Sequence, residues 1–226
     1  MKLVLYAILA SFVLNLTSCA SSYKPIDPES LNYRSVDKKE GVSFEYKYDV
    51  LKKKKYQKKE KKKGVQLVAV KVTNTTTKDL VFGKDIKPTF ENGSSMQLME
   101  VEQITRELNQ KVGFHLFYLL LTPMTFNTYS TQSQGGFTTQ EVSSSTPIGL
   151  VVGPGLALLN ILVGSSANKK FKTELEQYHL YGKTIPAGQT VHGILGVRSN
   201  VPEGLKIEVI GSGDSFYKEY QNSENP

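Results

Sequence analysis

The order of apolar and polar positions along the chain predicts a series of β-strands separated by turns. In several segments apolar residues recur at every second position, as they do in a strand with one buried face. The dipeptide Asn92-Gly93 is typical of the turn in a β-hairpin. The predicted strands lie at 42–50, 65–74, 86–101 (two short strands), 185–200, 202–213 and 215–220. Strands at this spacing favour a β-sandwich.

A different pattern occupies about residues 102–183, where apolar residues fall three and four positions apart. This spacing predicts one helix that ends before Pro123 and a second helix from about Gly155 to Tyr178. The segment between them, 127–146, is rich in serine, threonine, glutamine and glycine and predicts a mobile polar loop. The predicted fold class is therefore mainly β, a sandwich that carries an inserted helical pair.

The start of the chain has the features of an export signal. Met1-Lys2 is positively charged, and the apolar run from Leu3 to Leu14 has the length of a secretory signal rather than of a spanning helix. The next segment, Leu16-Thr17-Ser18-Cys19, contains the only cysteine of the chain and resembles the lipobox of bacterial lipoproteins. The resemblance implies cleavage before Cys19 and attachment of lipid to its thiol. The alternatives are an ordinary cleaved signal peptide and a retained membrane anchor.

These observations divide the chain into four parts. Residues 1–18 form the signal peptide, and residues 19–41, which have little periodicity, form a lipidated N-terminus and flexible tether. Residues 42–220 form a single sandwich domain with its insertion, and residues 221–226 form a disordered tail. With the cysteine modified, no thiol remains for a disulfide, so the fold must depend on its apolar core.

Three segments carry a second resemblance. The segment VAVKVTNTTTKDL is a valine-rich strand that ends in a turn, FENGSSMQL contains the hairpin signal, and IPAGQTVHGILGVR is a Pro-Ala-Gly turn followed by an apolar strand. In this order they resemble immunoglobulin-like domains of bacterial lipoproteins of uncharacterised function. The resemblance covers about residues 42–101 and 184–211 and departs from the family pattern in the insertion. It implies a binding or structural role in the cell envelope.

The positive charge of the chain is concentrated in residues 52–63. This segment, KKKKYQKKEKKK, holds nine lysines and one glutamate and has a net charge of +8, whereas the whole chain has +7. Because it lies between two predicted strands, we expect it to form the tip of a long hairpin. It suits anionic lipid head groups or other envelope polyanions; the alternative is a solvated loop that keeps strand edges from aggregating. The candidate polyanion-binding residues are Lys52, Lys53, Lys54, Lys55, Lys58, Lys59, Lys61, Lys62 and Lys63.

Two apolar runs, 114–126 and 147–164, are the second candidate contact surface. Each is short for a spanning helix, and the second contains glycines, a proline and Asn160. Both are more apolar than a helix with one buried face requires. The runs could pack on the sandwich, or they could enter a bilayer or contact a membrane protein. The candidate residues for membrane or partner contact are Phe117, Leu119, Leu120, Leu156 and Leu159.

The chain offers little that suggests catalysis. His115, His179 and His192 have no second histidine, cysteine or carboxylate at the spacing of metal ligands, so we expect no metal site. The segment Gly213-Asp214-Ser215 is similar to the nucleophile block of one lipase family, but no Asp-x-x-His pair follows it, and a turn is the expected structure. A hydrolase that uses Ser215 is the third hypothesis. We therefore expect no enzymatic activity and no cofactor.

The sequence thus predicts an exported, lipid-anchored protein with a non-enzymatic binding or structural role, and favours the outer membrane of a two-membrane bacterium. The alternative is an accessory subunit of a membrane assembly or transport complex, which would dock on an integral membrane protein through the apolar runs. Nucleic acid is not expected as a partner, because an exported protein rarely meets it and only Tyr56 in the lysine-rich segment could stack on bases.

Overall fold

Residues 20–33 and 35–210 are described by the computed structural model, and they divide into two units. Unit 1 comprises residues 20–22 and 110–168, and unit 2 comprises residues 23–109 and 169–210. Residues 110–168 of unit 1 lie within the predicted insertion at 102–183. The first and last parts of that insertion, 102–109 and 169–183, belong to unit 2. The predicted signal peptide, Cys19, the strand at 215–220 and the tail lie outside the described residues.

Unit 2 is built mainly of antiparallel strands. They are β1 (Ser35–Lys39), β2 (Val42–Lys47), β3 (Val65–Asn74), β4 (Leu80–Val81), β5 (Ile86–Phe90), β6 (Leu98–Met99), β9 (Thr184–Ile185), β10 (Thr190–Arg198) and β11 (Leu205–Val209). One sheet has the order β1-β2-β3-β10-β6, and the pairs β11-β5 and β4-β9 form two smaller sheets. The fold is therefore mainly β with helices, as the alternating pattern predicted.

The helices come from both units. They are α1 (Lys54–Lys63), α2 (Val101–Leu108), α3 (Gly149–Gln177) and two 3₁₀ helices, η1 (Pro28–Ser30) and η2 (Val112–Leu121). Helix α3 belongs to unit 1 as far as Asn168 and to unit 2 from Lys169. It begins six residues before the predicted start at Gly155.

Strand β3 is the centre of unit 2 because both of its faces are buried. On one face Val68, Val70 and Val72 join the apolar core that the five-stranded sheet shares with β5 and β11. On the other face Leu67 pairs with Gly196 of β10. A Cβ atom on Gly196 would lie 2.4 Å from Cδ1 of Ile104, so only glycine lets α2 approach the sheet this closely.

The first inserted helix is shorter than the sequence predicted. Helix α2 ends at Leu108, and η2 follows after a break, whereas a single helix was expected as far as Pro123. Asn109 leaves the helical conformation with ψ at 144°. The Gln110 N–H then donates to the Asn168 side chain (2.8 Å), whose amide donates back to the Gln110 carbonyl (2.9 Å). These side-chain bonds satisfy backbone groups that a continuous helix would have paired.

The prediction of a flexible tether at 19–41 is wrong for residues 23–33 and 35–39, which are ordered by contacts with the rest of unit 2. Tyr23 and Ile26 are buried. The carboxylate of Glu174 accepts hydrogen bonds from the Tyr23 hydroxyl and from the backbone N–H groups of Ile26 and Asp27. Strand β1 then extends the five-stranded sheet by pairing with β2. The contacts that order this segment are made with distant parts of the chain, which is why its local pattern does not reveal them.

The polar segment at 127–146 forms a hairpin in unit 1 rather than an irregular loop. Its strands, β7 (Phe126–Gln134) and β8 (Phe137–Thr146), are antiparallel, with a register shift after Thr128. Gly135 and Gly136 form the turn with φ of 63° and 81°, and positive values at both positions are what a two-residue hairpin turn requires. The threonines favour strands, and the two glycines permit the turn.

The strands predicted around Asn92-Gly93 are present, but they belong to different sheets. The turn itself forms, with the Gly93 N–H donating to the Phe90 carbonyl (2.9 Å) and a Gly93 φ of 81°. Beyond it only an isolated bridge joins Thr89 to Ser95. Strand β5 pairs with β11 and β6 pairs with β10, so the two strands diverge.

Candidate functional site

The lysine-rich segment forms helix α1, which corrects the prediction of a hairpin tip. Its buried side consists of Tyr56 and Glu60, which lie one turn apart. The Tyr56 ring packs against the rings of Tyr23 and Phe171, with centroids 5.5 and 5.3 Å away. Gly64 ends the helix with a φ of 60°, a conformation that favours glycine. The Tyr56 ring and the Glu60 carboxyl group are thus the buried contacts of a helix that is otherwise almost wholly cationic.

The opposite side of α1 carries a cationic surface that we call the lysine face, formed by Lys54, Lys58, Lys61 and Lys62. All four side chains are exposed. They occupy positions i, i+4, i+7 and i+8, which lie on one side of a helix with 3.6 residues per turn. Lys52 is also exposed, immediately before the helix. The structure thus brings four of the nine candidate lysines together on one side of α1, with a fifth just before the helix.

The remaining candidate lysines have other surroundings. Lys53, Lys55 and Lys59 are half-buried. The Lys59 ammonium donates to the carbonyl of Asn109. Lys63 is exposed but forms an ion pair with Glu107 (3.1 Å), which lowers the pKa of that carboxyl group. Two of the nine lysines therefore attach α1 to the end of α2 and its following residue.

The lysine spacing within α1 opposes helix formation. Four pairs of lysines stand four residues apart, and like charges at that spacing cost about 1–2 kcal/mol in total. The three lysines of the last turn recover part of this cost through the helix dipole. An anionic surface beside the lysine face would reduce the repulsion between Lys54 and Lys58 and between Lys58 and Lys62.

Glu60 is the only acidic residue of α1, and it points inward. One carboxylate oxygen accepts the backbone N–H of Leu67 in β3 (2.9 Å). Burial raises the pKa of Glu60 to about 7, although the Leu67 hydrogen bond opposes the increase; Asp49 adds to it and Lys61 reduces it. Near neutral pH this carboxyl group therefore holds its proton in part of the molecules.

The apolar runs form a second surface, within unit 1. The side of α3 that is buried there carries small residues and one amide: Gly149, Gly153, Ala157, Asn160, Gly164 and Ala167. A Cβ on Gly153 would lie 2.8 Å from the Tyr118 carbonyl oxygen, so glycine allows α3 to approach the backbone of η2. Small residues spaced four apart are typical of helices that pack inside membranes.

Most other side chains of α3 and η2 in unit 1 are apolar and exposed. We call this set the apolar surface. It consists of Phe114, Leu116, Phe117, Leu119, Leu120, Leu150, Val151, Val152, Leu156, Leu158, Leu159, Leu162 and Val163. It includes all five residues that the sequence singled out, whose exposed fractions run from 37% at Leu156 to 63% at Leu120.

Helix α3 also meets the length and composition of a membrane span. It is the one helix in residues 20–33 and 35–210 with these properties, and its most apolar 18-residue window has a mean hydropathy of 1.8. Core helices of soluble proteins pass the same test, but they are mostly buried, whereas 22% of this window is buried.

Asn160 and Gln110 hold the start of the described chain on unit 1. The Ala20 N–H donates to the Asn160 side-chain oxygen (2.6 Å), and the Asn160 amide donates to the Leu156 carbonyl (2.8 Å). The Ser21 N–H donates to the Gln110 side-chain oxygen (2.9 Å). Ala20 directly follows Cys19 in the chain. Sequence reasoning missed this contact; a lone asparagine in an apolar run was the available signal.

The three histidines are divided between the two units. His115 is buried in unit 1, with its ring stacked on Tyr118 at 6.0 Å. His179 and His192 belong to unit 2, where His179 lies 3.8 Å from a Glu100 oxygen. His179 and Glu100 line a cleft of about 430 Å³ between β5 and β6. Within the described residues no group of three histidine, cysteine or acidic side chains is placed to hold a metal ion. Ser215 lies outside them.

Comparison of the chain with protein-family models, with curated proteins and with solved structures finds no significant match.

Proposed function

We propose that this chain is a lipid-anchored protein of the bacterial cell envelope with a non-enzymatic binding or structural role, and that unit 1 is its membrane-contacting part. One observation carries the proposal: the backbone of Ala20, one peptide bond from Cys19, is bound to Asn160 on the buried side of α3, and the other sides of this helix carry exposed leucines and valines. A lipid on Cys19 would therefore be attached where the apolar surface is. Two or three acyl chains anchor a protein stably, and exposed apolar side chains add to that attachment.

The polarity of unit 1 agrees with this role. Between Lys111 and Lys169 the only acidic or basic residue besides His115 is Glu141. A helix that is apolar on all sides needs an apolar environment on all sides. Unit 1 covers only the small-residue side of α3, so lipid would cover the rest. The polar group of Asn160 is already hydrogen-bonded within the protein, which lowers the cost of placing it near lipid.

Vesicle flotation of the mature chain tests the apolar surface. We expect the chain without its lipid to float with neutral phosphatidylcholine vesicles, and Leu120→Asp or Leu159→Asp to reduce the floating fraction at least tenfold. Val201→Asp is the matched control, because Val201 is also exposed but belongs to unit 2. Equal flotation of all variants would contradict the proposal.

The lysine face is proposed to bind anionic lipid head groups or envelope polyanions. Each lysine near an anionic membrane contributes about 1 kcal/mol, so four contribute about 4 kcal/mol, roughly a thousandfold in partitioning at low salt. Changing Lys54, Lys58, Lys61 and Lys62 to glutamine should remove this gain for vesicles that contain phosphatidylglycerol. The matched control changes four exposed lysines outside α1, which removes the same net charge: Lys38, Lys39, Lys78 and Lys84. Equal losses would show that only net charge matters.

The alternative function, an accessory subunit of a membrane assembly, uses the same apolar surface on a different partner. In that case the wild-type chain would not float with protein-free vesicles. Leu120→Asp would instead release an integral membrane protein that co-purifies with the wild type. The two functions therefore separate in the same set of variants.

The finer fold assignment is also a proposal: unit 2 is an immunoglobulin-like β-sandwich. Its support is the apolar core shared between a five-stranded antiparallel sheet and the β11-β5 pair, with the valine-rich β3 at its centre. An experimental structure of unit 2 in which the five-stranded sheet and the β11-β5 pair do not pack face to face around this core would contradict the assignment.

A further inference from the structure

The β7–β8 hairpin has exposed faces and unpaired outer edges within unit 1. It is a two-stranded sheet, and no third strand among residues 20–33 and 35–210 pairs with either of its outer edges. Apart from the half-buried Asn127, its described side chains are exposed on both faces. A two-stranded hairpin without other support is marginally stable in water. A hairpin of this length therefore points to something that covers it.

The occupant must supply backbone hydrogen-bond partners. Each outer edge presents a row of unpaired N–H and C=O groups, which natural proteins protect with charges, prolines or covering segments. Strand β7 contains no charged residue and no proline, and β8 contains only Glu141. Lipid could not satisfy these backbone groups, and serine, threonine and glutamine on both faces do not suit a bilayer interior. The partner that fits is another strand.

The charges on β7 and β8 indicate which of the two outer edges can pair with the same edge of a second copy. A strand that pairs antiparallel with its own copy does so about a two-fold axis. Glu141 lies near the middle of β8, so a pairing centred on that strand brings two Glu141 side chains close together in an uncharged setting, which is unfavourable. Along β7 it brings no charges together, and it can cover Phe126 and Tyr129, both of which are exposed. An edge of nine residues is about 30 Å long.

We propose that two copies of this chain associate through unit 1 by antiparallel pairing of β7 with β7 of the second copy, which gives a four-stranded sheet. The second copy supplies the same uncharged edge, so the interface is self-complementary. This inference does not depend on the proposed membrane role, because it rests on the hairpin alone.

The register of the hairpin identifies matched test positions. Gln134 and Phe137 close the two-residue turn, so their N–H and C=O groups point toward each other. Because the direction alternates along antiparallel strands, the backbone groups of Thr131 point outward on the β7 edge. Gln140 lies directly opposite Thr131, and its backbone groups point outward on the β8 edge. The two residues thus sit at the same height on opposite edges.

Cysteine cross-linking in intact cells that produce the full chain tests the proposal. The natural chain has one cysteine, Cys19, so the unsubstituted protein gives the background. Under mild oxidation we expect Thr131→Cys to yield a reducible species of twice the mass, at least five times more than Gln140→Cys. Equal cross-linking at the two positions, or none above background at Thr131, would overturn the proposal.

A mass measurement on the detergent-solubilised protein provides the second test. We expect the wild type and Gln140→Lys to sediment as dimers and Thr131→Lys to sediment as a monomer, with unchanged circular dichroism. A wild type that is monomeric at every concentration would also overturn the proposal. If Thr131→Lys unfolds the hairpin, the cross-linking comparison alone decides.

Discussion

Replacing Glu60 by glutamine tests how the lysine helix is held against the sheet. The glutamine carbonyl oxygen can still accept the Leu67 N–H, but the side chain no longer ionises. Burial raises the pKa of Glu60 from its ordinary value of 4.5 to about 7. That difference corresponds to about 3 kcal/mol between the protonated and ionised forms in the folded protein.

The sign of the pH dependence follows from the direction of this change. A carboxyl group whose pKa is higher in the folded state holds its proton more tightly there, so unfolding releases a proton between the two pKa values. Its contribution to stability is fully present below pH 4.5 and is lost as the pH rises through about 7. We therefore expect Glu60→Gln and the wild type to have similar stability at acidic pH, and the variant to be more stable by about 3 kcal/mol at pH 8.

Urea unfolding in nonionic detergent measures this difference. Tyrosine fluorescence is a suitable signal, because the chain has 12 tyrosines and no tryptophan. Glu208→Gln is the matched control, since Glu208 is exposed and its replacement should give the same small effect at both pH values. A difference between wild type and Glu60→Gln that does not change from pH 4.5 to pH 8 would refute the reasoning.

Two further substitutions test the packing of unit 2 by urea unfolding. Tyr23→Phe removes a hydroxyl donor from the buried Glu174 and should cost about 1–3 kcal/mol, whereas Tyr181→Phe, at an exposed ring, should change stability by less than about 0.5 kcal/mol; equal effects would contradict the role of Glu174. Gly196→Ala should cost about 1–3 kcal/mol because its methyl group meets the Ile104 side chain. The cost should be smaller when Ile104 is already alanine, and an unchanged cost would show that the contact is not its cause.

The sequence predicts best those elements whose own residues carry the signal. Strand β3 has the predicted bounds, because a run of β-branched residues next to turn residues leaves few alternatives. The period-two pattern also located β2, β10 and β11. It did not predict β1, whose five residues include one apolar side chain, Val36. That strand forms because the edge of β2 is available to it.

The lysine helix shows how a local signal was misread. Lysine, glutamine and glutamate are good helix formers, and Gly64 stands where a helix C-cap would be expected. The flanking strand patterns favoured a hairpin, yet nine good helix formers in ten consecutive residues were a stronger local indication. The helix also decides which lysines are exposed together, and a loop model of residues 52–63 could not give that information.

The contact between Ala20 and Asn160 joins residues 140 positions apart, and no local pattern predicts it. The lipobox resemblance gives the position of the proposed anchor in the sequence, and hydropathy gives the positions of the apolar runs. Neither shows how the two lie relative to each other. Their relation depends on tertiary structure, since the Asn160 and Gln110 side chains bind the backbone that follows Cys19. This is the part of the candidate site that could be found only from coordinates.

The two proposed contact surfaces differ in the force that each would use, and this difference makes them separable. The attraction of the lysine face is electrostatic and is screened strongly at 1 M salt, where the Debye length is about 3 Å. The attraction of the apolar surface and of an acyl chain is hydrophobic, and salt does not weaken it. The wild type in high salt should therefore bind anionic vesicles as the lysine-face variant does in low salt, with the residual binding supplied by unit 1. If high salt released the wild type completely, the apolar surface would contribute nothing to membrane binding, and only the lysine face would remain as its contact.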